Sequence, residues 1–350
     1  MTFRPLRRVA AGLTALGLAA TMLAAAGTAA EAAPKKNGRA KASFSSTQLI
    51  AGAGVLAVKG TWVTLKTKKS KKNGRFAIAT PFNWYGSHKM RVTTRGFTKA
   101  KRIRVATAYT PYGNRKSYVL RGKRLSSTPR FNPCQTLRYQ VNAAQVPPSA
   151  LGIVQATMAQ ISAASGIKMK YVGSSSYTPF TTKKLPKRKA DLTIAWANNG
   201  QVTQFAQGVA VGLGGELRAY YARDSAGRRA VMTDQAGVTL QTESYNTLFT
   251  EANESGPANP PVSRLILHEV GHALGLRHAP ASDQVMYYTQ WTPEADGLVH
   301  ARYGAGDLAG LKKVGLQGGC VRALRRSGRY VAAPVAAPVV DAPSLAGHRD

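Results

Sequence analysis

The chain has 350 residues and a formal net charge of +34 at pH 7, from 49 Lys or Arg against 15 Asp or Glu. This excess of positive charge favours contact with polyanions. No nucleic-acid recognition motif accompanies it, which argues against specific nucleic-acid recognition. Apart from one run near the N-terminus, no apolar stretch is long enough to span a bilayer.

The N-terminus has the pattern of a secretory signal peptide. Arg7 and Arg8 precede an alanine- and leucine-rich run over 9–27, and residues 30–32 (Ala-Glu-Ala) offer a small-residue cleavage site. A membrane anchor is the alternative, because the run is about as long as a minimal transmembrane span. We predict a signal peptide over 1–32 and a secreted, extracellular protein with no stable membrane span, with cell-wall association as a further option.

The segment that follows, 33–130, is strongly basic. Within 34–130 there are 24 Lys or Arg and no Asp or Glu. Strand-like patterns occur at Thr61–Leu65, Arg75–Ala79 and Ile103–Thr107. The Asn73-Gly74 pair between the first two is typical of a hairpin turn. The sequence predicts a small all-β, sandwich-like domain over 33–130.

The purpose of this charge is open between two interpretations. The segment either binds a polyanion, such as a cell-wall polymer or an acidic glycan, or only presents a solvated basic surface. Its aromatic residues could stack on sugars or pack in a core: Trp62, Trp84, Tyr85, Tyr109 and Tyr112. It is also open whether the segment is a retained binding domain or a removable pro-segment.

The chain contains two cysteines, Cys134 and Cys320. In an exported chain, two cysteines favour one disulfide. Such a bridge would connect the start and the end of a domain over 131–325. In the chain-entropy model, closing a loop of about 190 residues stabilises by about 4–5 kcal/mol.

The segment 131–325 is long enough for one substantial core, and it alternates strands with helices. Strands are predicted at Leu137–Val141, Met169–Val172, Asp191–Trp196 and Arg229–Thr233. A helix with an apolar stripe begins near Pro147 and ends at Gly166. Gly208–Gly215 is predicted to be a glycine-rich crossing that packs tightly or borders a substrate cleft.

The stretch from His268 to His278 offers three imidazoles and one carboxylate at spacings that suit a catalytic zinc ion. On a helix, His268 and His272 lie one turn apart on the same face. Glu269 can then lie beside a metal-bound water as a general base. Gly275 permits the helix to end, so that His278 can turn back as a third ligand and leave a fourth position open.

Met286, eight residues beyond His278, completes a pattern that resembles the metzincin zinc endopeptidases. The short spacing to the methionine is similar to that of the matrixin, or matrix-metalloproteinase-like, branch. The resemblance implies His268, His272 and His278 as zinc ligands, Glu269 as general base and Met286 as the apolar floor of the site. It also implies zinc as cofactor and protein or peptide substrates. Calcium is compatible with the resemblance, although no residue pattern indicates a site.

Two features depart from the matrixin pattern. Matrixins usually have Pro two places after the methionine, where this chain has Tyr288. A tyrosine at this place is metal-proximal in other metzincins, so Tyr288 could assist at the zinc, while Tyr287 would pack in the wall. Matrixins often carry an inhibitory cysteine ahead of the catalytic domain, but the family's motif is absent around Cys134, and we favour the disulfide.

The remaining C-terminal residues have simpler interpretations. Asp307 is predicted to be the N-cap of a last helix over Gly306–Leu311. The Ala/Pro-rich segment 326–350 is predicted to be a disordered tail. His300 and His348 have no ligand spacing and are interpreted as surface residues.

Together these patterns predict an α+β chain: a small all-β domain, then a metzincin-like domain with a twisted mixed sheet, active-site helix, Met-turn and C-terminal helix. The predicted function is a secreted zinc-dependent endopeptidase with Glu269 as general base. The alternative is a cationic wall- or glycan-binding exported protein whose metalloprotease-like domain is inactive. The intact Glu269 favours the enzyme.

Overall fold

The computed structural model describes residues 84–94, 97–182, 184–245, 261–288 and 301–341, together with the backbone of shorter strands between residues 42 and 79. Among the helices in these ranges, none combines the length and apolar composition that crossing a membrane requires. The predicted signal peptide over 1–32 lies outside the described residues.

The elements are named in chain order. The N-terminal strands are β1 (Ala42–Phe44), β2 (Leu49–Ala53), β3 (Ala57–Gly60), β4 (Val63–Thr67), β5 (Arg75–Ala79), β6 (Gly86–Thr94) and β7 (Phe97–Val105). The later strands are β8 (Val119–Leu120), β9 (Pro129–Arg130), β10 (Leu137–Asn142), β11 (Met169–Ser174), β12 (Leu192–Ala197), β13 (Gly212–Asp224), β14 (Arg229–Gln241), β15 (Leu276–Arg277), β16 (Val321–Ala323), β17 (Arg325–Arg326), β18 (Arg329–Tyr330), β19 (Ala332–Ala333) and β20 (Val339–Asp341). The helices are α1 (Ala150–Ser165), α2 (Thr203–Ala206), α3 (Pro261–Ala273) and α4 (Ala305–Val314), with 3-10 turns at Leu125–Ser127 and Leu316–Gly318.

A mixed sheet in the order β11-β10-β12-β14-β13-β16 organises the C-terminal part of the chain. β10 pairs in parallel with β11 and β12, and β12 pairs in parallel with β14. All six residues of β12 are buried, as expected for a central parallel strand covered on both faces. β13 runs antiparallel to β14 and brings an outer edge to the border of the sheet.

The sheet and two helices share one hydrophobic core. It joins Val154, Met158 and Ile161 of α1 to Ile266 and Val270 of α3 and to apolar side chains of the sheet. α1 ends at Gly166, which has φ 75°, as its sequence predicted. This core holds α3 across β13 and β14. The predicted α+β architecture is confirmed for this part of the chain.

The described N-terminal strands form two antiparallel sheets, β1-β2-β5 and β4-β3-β6-β7. The predicted strand Arg75–Ala79 coincides with β5, and the other two predicted strands overlap β4 and β7. The prediction of a hairpin around Asn73-Gly74, which would pair β4 with β5, is wrong. β4 pairs with β3, whereas β5 pairs with β2 in the other sheet. A single sandwich-like domain over 33–130 stays a prediction.

The boundary expected at residue 130 needs correction. β8 pairs with β15, which follows α3, and β9 pairs with β14 of the larger sheet. Residues 119–130 therefore pack with the C-terminal part, because their backbone groups find partners there. The larger structural unit begins earlier in the chain than the cysteine and strand patterns suggested.

Trp84 and His88 connect the β6–β7 sheet to the C-terminal part. Their rings stack with centroids 3.9 Å apart, and both side chains are only 2% exposed. The N–H of Tyr85 donates to the carbonyl of Ala163 in α1 at 2.8 Å. A Cβ at Gly166 would lie 2.8 Å from the Trp84 ring, so the indole packs directly against the end of α1. Trp84 is thus a packing residue and is not available to stack on a ligand.

The disulfide between Cys134 and Cys320 is confirmed. It links the chain ahead of β10 to the chain ahead of β16, across 186 residues of sequence. Arg130 strengthens the same junction, because its guanidinium donates to the carbonyls of Gly318 and Gly319 at 3.0 and 2.8 Å. Cys134 is therefore not a free thiol that could block a metal.

The C-terminal segment does not match the disordered tail predicted over 326–350. β17 and β18 form a hairpin, and β19 and β20 both pair antiparallel with the outer edge of β13. Backbone pairing orders residues 329–341 in spite of their Ala/Pro-rich composition. Residues 342–350, with His348, lie outside the described part of the chain.

Candidate metal centre

α3 brings two of the three predicted ligands together, and the turn after it supplies the third. His268 and His272 are fully buried, with ring centroids 4.6 Å apart. Gly275, at φ 109°, turns the chain back after the helix. The ring of His278 then lies 5.4 Å from that of His268 and 5.0 Å from that of His272. One ligand atom from each of the three lies within 4.8 Å of the others.

Backbone carbonyls orient two of these imidazoles. Nδ1–H of His268 donates to the carbonyl of Val285 at 2.6 Å, and Nδ1–H of His272 donates to that of Leu276 at 2.9 Å. These bonds leave the lone pairs on the two Nε2 atoms, which lie 2.9 Å from each other. Two tetrahedral zinc ligands of this kind would be separated by about 3.3 Å. The donor set and its orientation therefore fit a zinc ion.

The cluster has the composition of an open site. In the part of the chain that the structure describes, no fourth His, Cys, Asp or Glu joins the three histidines. Structural zinc sites are closed by four protein ligands, whereas catalytic sites keep one position for water or substrate. Three protein ligands without a fourth fit the open type of site.

Glu269 is fully buried and lies against β13. A Cβ at Gly212 would be 2.1 Å from Glu269 Oε1, and a Cβ at Gly214 would be 2.2 Å from its backbone carbonyl oxygen. The glycine-rich stretch predicted as a crossing is therefore the first part of a strand, and the expectation that it packs tightly is confirmed. Glycine is required there because β13 crosses α3 at the carboxylate.

The Met-turn contacts both α3 and the loop that carries His278. The N–H of Ala279 donates to the carbonyl of Met286 at 2.6 Å and closes the loop that carries His278. Met286 is fully buried, and a Cβ at Gly271 would lie 2.3 Å from its sulfur. The first glycine of the motif, Gly271, is thus explained by the close approach of the thioether to α3. The role of Met286 as the apolar floor of the metal site stays a prediction.

Asp307 has a larger role than the helix cap predicted from the sequence, and it is the third residue of α4 rather than its N-cap. Its carboxylate is fully buried and accepts hydrogen bonds from the N–H groups of Val285 at 2.7 Å, Met286 at 3.1 Å and Gly304 at 3.0 Å. Burial raises the pKa of this carboxyl to about 6, against the lowering effect of these hydrogen bonds. The side chain therefore ties the Met-turn to α4.

Gln284 forms a reciprocal link between the same two segments. Its side-chain oxygen accepts from the N–H groups of Gly306 at 2.8 Å and Asp307 at 3.1 Å, and the residue is fully buried. Sequence reasoning missed Gln284. Gln284 could not be recognised because its partner, the first turn of α4 with Asp307, does not by itself indicate which distant loop it holds.

Tyr288 is 48% exposed, and its ring lies 4.4 Å from that of Tyr287 between centroids. The metal-proximal role suggested for Tyr288 stays a prediction. His300 lies outside the described residues.

The site has the features of a metzincin-type zinc peptidase. They are a helix with two histidines and a glutamate, a third histidine beyond a glycine turn, and a methionine in the turn that follows. Residues 153–300 match the family model described as Matrixin. The matched range begins in α1 and includes the three histidines, Glu269 and Met286. This match supports a matrixin-like metzincin peptidase domain in this part of the chain. No match was found among curated proteins.

Proposed function

We propose that the protein is an exported zinc-dependent endopeptidase that hydrolyses peptide bonds with Glu269 as its general base. Matrixins are zinc-dependent endopeptidases that act on proteins or peptides. The observation that carries the proposal is the convergence of three imidazoles beside the buried Glu269 carboxylate. The Cys134–Cys320 disulfide supports export, because such bonds persist in oxidising compartments.

The chain's own residues have separate tasks in this reaction. His268 and His272 would hold the ion through Nε2, and His278 through one of its ring nitrogens. When bound, zinc supplies a Lewis acid that polarises the scissile carbonyl and lowers the pKa of a water. Glu269 would accept a proton from the attacking water and deliver it to the leaving amine. The glycines of β13 would keep its carboxylate in place.

A Glu269→Gln variant tests this proposal. We expect it to retain one zinc per chain and to lose about 10²–10⁴-fold in kcat/KM on a peptide library, because it lacks the base. Glu243→Gln is the matched control. Glu243 is exposed, and its variant should remain within about twofold of the wild type.

If Glu269→Gln cleaved peptides at the wild-type rate, the assigned role would be wrong. If neither variant nor wild type cleaved while zinc was bound, the inactive, wall- or glycan-binding alternative would be favoured.

Polyanion binding by the basic N-terminal segment stays a separate prediction. In its favour, the side chains of Lys99, Lys101, Arg102 and Arg104 are exposed along β7. Such contacts lose affinity steeply as salt rises. These contacts can be measured by the retention of the protein on an immobilised anionic polymer. The salt concentration would be varied from roughly 50 to 500 mM, which covers weak and strong screening. Charge reversal of Lys99 and Lys101 should lower the retention, and an unchanged elution would contradict the prediction.

A further inference from the structure

The C-terminal segment lies in extended form along the outer edge of β13. Ala332–Ala333 pair with Ala219 and Tyr220, and Val339–Asp341 pair with Gly212–Gly214, both antiparallel. Between these two strands the contact continues through side chains. The N–H of Ala336 donates to Glu216 at 3.3 Å, and Arg121 donates to the carbonyl of Ala337 at 2.5 Å. The segment is thus attached at both ends and in the middle.

The attachment in the middle depends on a buried ion pair. Arg121 and Glu216 are 2.8 Å apart, and their side chains are 5% and 2% exposed. Arg121 comes from the loop after β8 and Glu216 from β13. Each of them also contacts the C-terminal segment, so one ion pair joins three parts of the chain at this edge.

This edge of β13 borders the candidate metal centre. Gly212 and Gly214, which pair with the tail, are the residues that cross Glu269. Successive residues on α3 are rotated by about 100°. His268, which directly precedes Glu269 in α3, is therefore one helical step from this crossing.

An exposed strand edge is a surface to which an extended peptide can add through main-chain hydrogen bonds. At Gly212–Gly214 that surface is already covered by Val339–Asp341. We infer that residues 332–341 are an intramolecular, autoinhibitory strand, which occupies the edge beside Glu269 and must leave before an extended peptide can bind there. This inference rests on the proposed peptidase function, because it concerns access to the same site.

An exposed hairpin connects the segment to the rest of the chain. The hairpin of β17 and β18 precedes it, and the side chains of Arg325, Arg326 and Arg329 in that hairpin are exposed. Its turn is tight, with φ 48° at Ser327 and 78° at Gly328. Exposed, charged loop tips are preferred sites of proteolytic cleavage. A cut there would separate the tail from the disulfide at Cys320, after which only non-covalent contacts would hold it.

The test compares two truncations, both carrying Glu269→Gln so that peptide is bound but not cleaved. Deletion of 331–350 removes β19 and β20, and deletion of 342–350 leaves them in place. The probe is a fluorescent peptide with the sequence of residues 331–341, and the readout is its Kd from anisotropy. If the tail covers the edge of β13 for roughly 90% of the time or more, the shorter protein should bind the probe at least about tenfold more tightly than the longer one. Equal Kd values for the two truncations would overturn the inference.

A second variant guards against misfolding of the shorter protein. Val339→Pro with Val340→Pro keeps the full chain and removes two backbone N–H groups from β20. In the Glu269→Gln background, this double variant should bind the probe more tightly than the full-length Glu269→Gln protein does. Amide exchange at Gly212–Gly214 should also be faster than in that protein. Unchanged exchange and unchanged Kd would count against the inference.

These readouts separate the inference from the proposed function. Tighter probe binding by the shorter Glu269→Gln protein, together with no peptide cleavage by the zinc-bound wild type, would support the inference and leave the peptidase proposal to fail alone. Peptide cleavage with the same kcat/KM by versions of the two truncations that retain Glu269 would support the peptidase proposal and overturn the inference.

Discussion

Gly212 lies so close to Glu269 that a Cβ on the glycine would be 2.1 Å from the carboxylate oxygen Oε1. The strand therefore forms one wall of the space that the carboxylate occupies. Any side chain at this position must displace either β13 or Glu269. Because Glu269 is fully buried, it has little room to move elsewhere.

We expect Gly212→Ala to lower kcat by about 100-fold, because a displacement of about 1 Å at a catalytic group can cost that much. Zinc content should be unchanged, since the three atoms nearest the new methyl group all belong to Glu269. The measurement is kcat on a peptide substrate together with metal analysis. A variant with wild-type kcat would show that the close approach does not position Glu269.

Gly152→Ala is the matched control for that substitution. Gly152 lies on an exposed part of α1, and a Cβ there would meet nothing within 4 Å. The change should leave kcat unaltered and should raise the free energy of unfolding by about 0.5–1 kcal/mol, because alanine loses less backbone entropy in a helix. Loss of activity in this control would mean that the assay responds to any glycine replacement.

The sequence was sufficient for the chemistry that depends on local spacing. His268, Glu269 and His272 occupy one stretch of helix, and Gly275 ends it, so their geometry follows from helical periodicity and glycine conformation. The disulfide was predictable because only two cysteines exist in the chain.

What sequence reasoning missed depends on contacts between distant segments. Nothing near Asp307 indicates that it holds Val285 and Met286, which lie 22 and 21 residues earlier in the chain. The glycines of β13 could be recognised as tight packing, but their partner Glu269 could not. The Ala/Pro-rich tail is ordered by backbone pairing with β13, which its composition does not indicate.

Asp307→Asn should destabilise the Met-turn. The amide nitrogen cannot accept the hydrogen bonds that Val285, Met286 and Gly304 donate to the carboxylate, so at least one buried N–H would face another donor. We expect the free energy of unfolding to fall by about 1–3 kcal/mol, the usual cost of an unsatisfied buried group. Urea denaturation with zinc bound would measure it. A variant as stable as the wild type would show that Asp307 does not hold the turn.

The disulfide should contribute strongly to stability. Replacing Cys134 and Cys320 together by serine should lower the free energy of unfolding by about 2–5 kcal/mol. Reduction of the wild type should have the same effect, while a reductant should leave the double variant unchanged, because both cysteines of the chain are then gone. If wild type and variant unfolded at the same urea concentration, the loop constraint would not be a stabilising element.

His88 should make the protein less stable in mild acid. Burial, followed by the nearby charge of Lys312, lowers the pKa of His88 from 6.5 to about 4. The unfolded chain therefore binds this proton more readily than the folded one between these two values. The contribution of neutral His88 is fully present above about pH 6.5 and is lost as pH falls toward about 4.

His88→Gln isolates this contribution from that of the carboxyl groups. Glutamine can still donate to the carbonyls of Trp84 and Tyr85, which lie 2.9 Å from the His88 ring nitrogen, but it does not titrate. Between pH 7 and pH 4 the wild type should lose about 1–3 kcal/mol more stability than the variant. Denaturant unfolding at several pH values would provide the comparison. Parallel curves for the two proteins would mean that His88 titrates normally, and hence that the ring is not enclosed between Trp84 and α4 in solution.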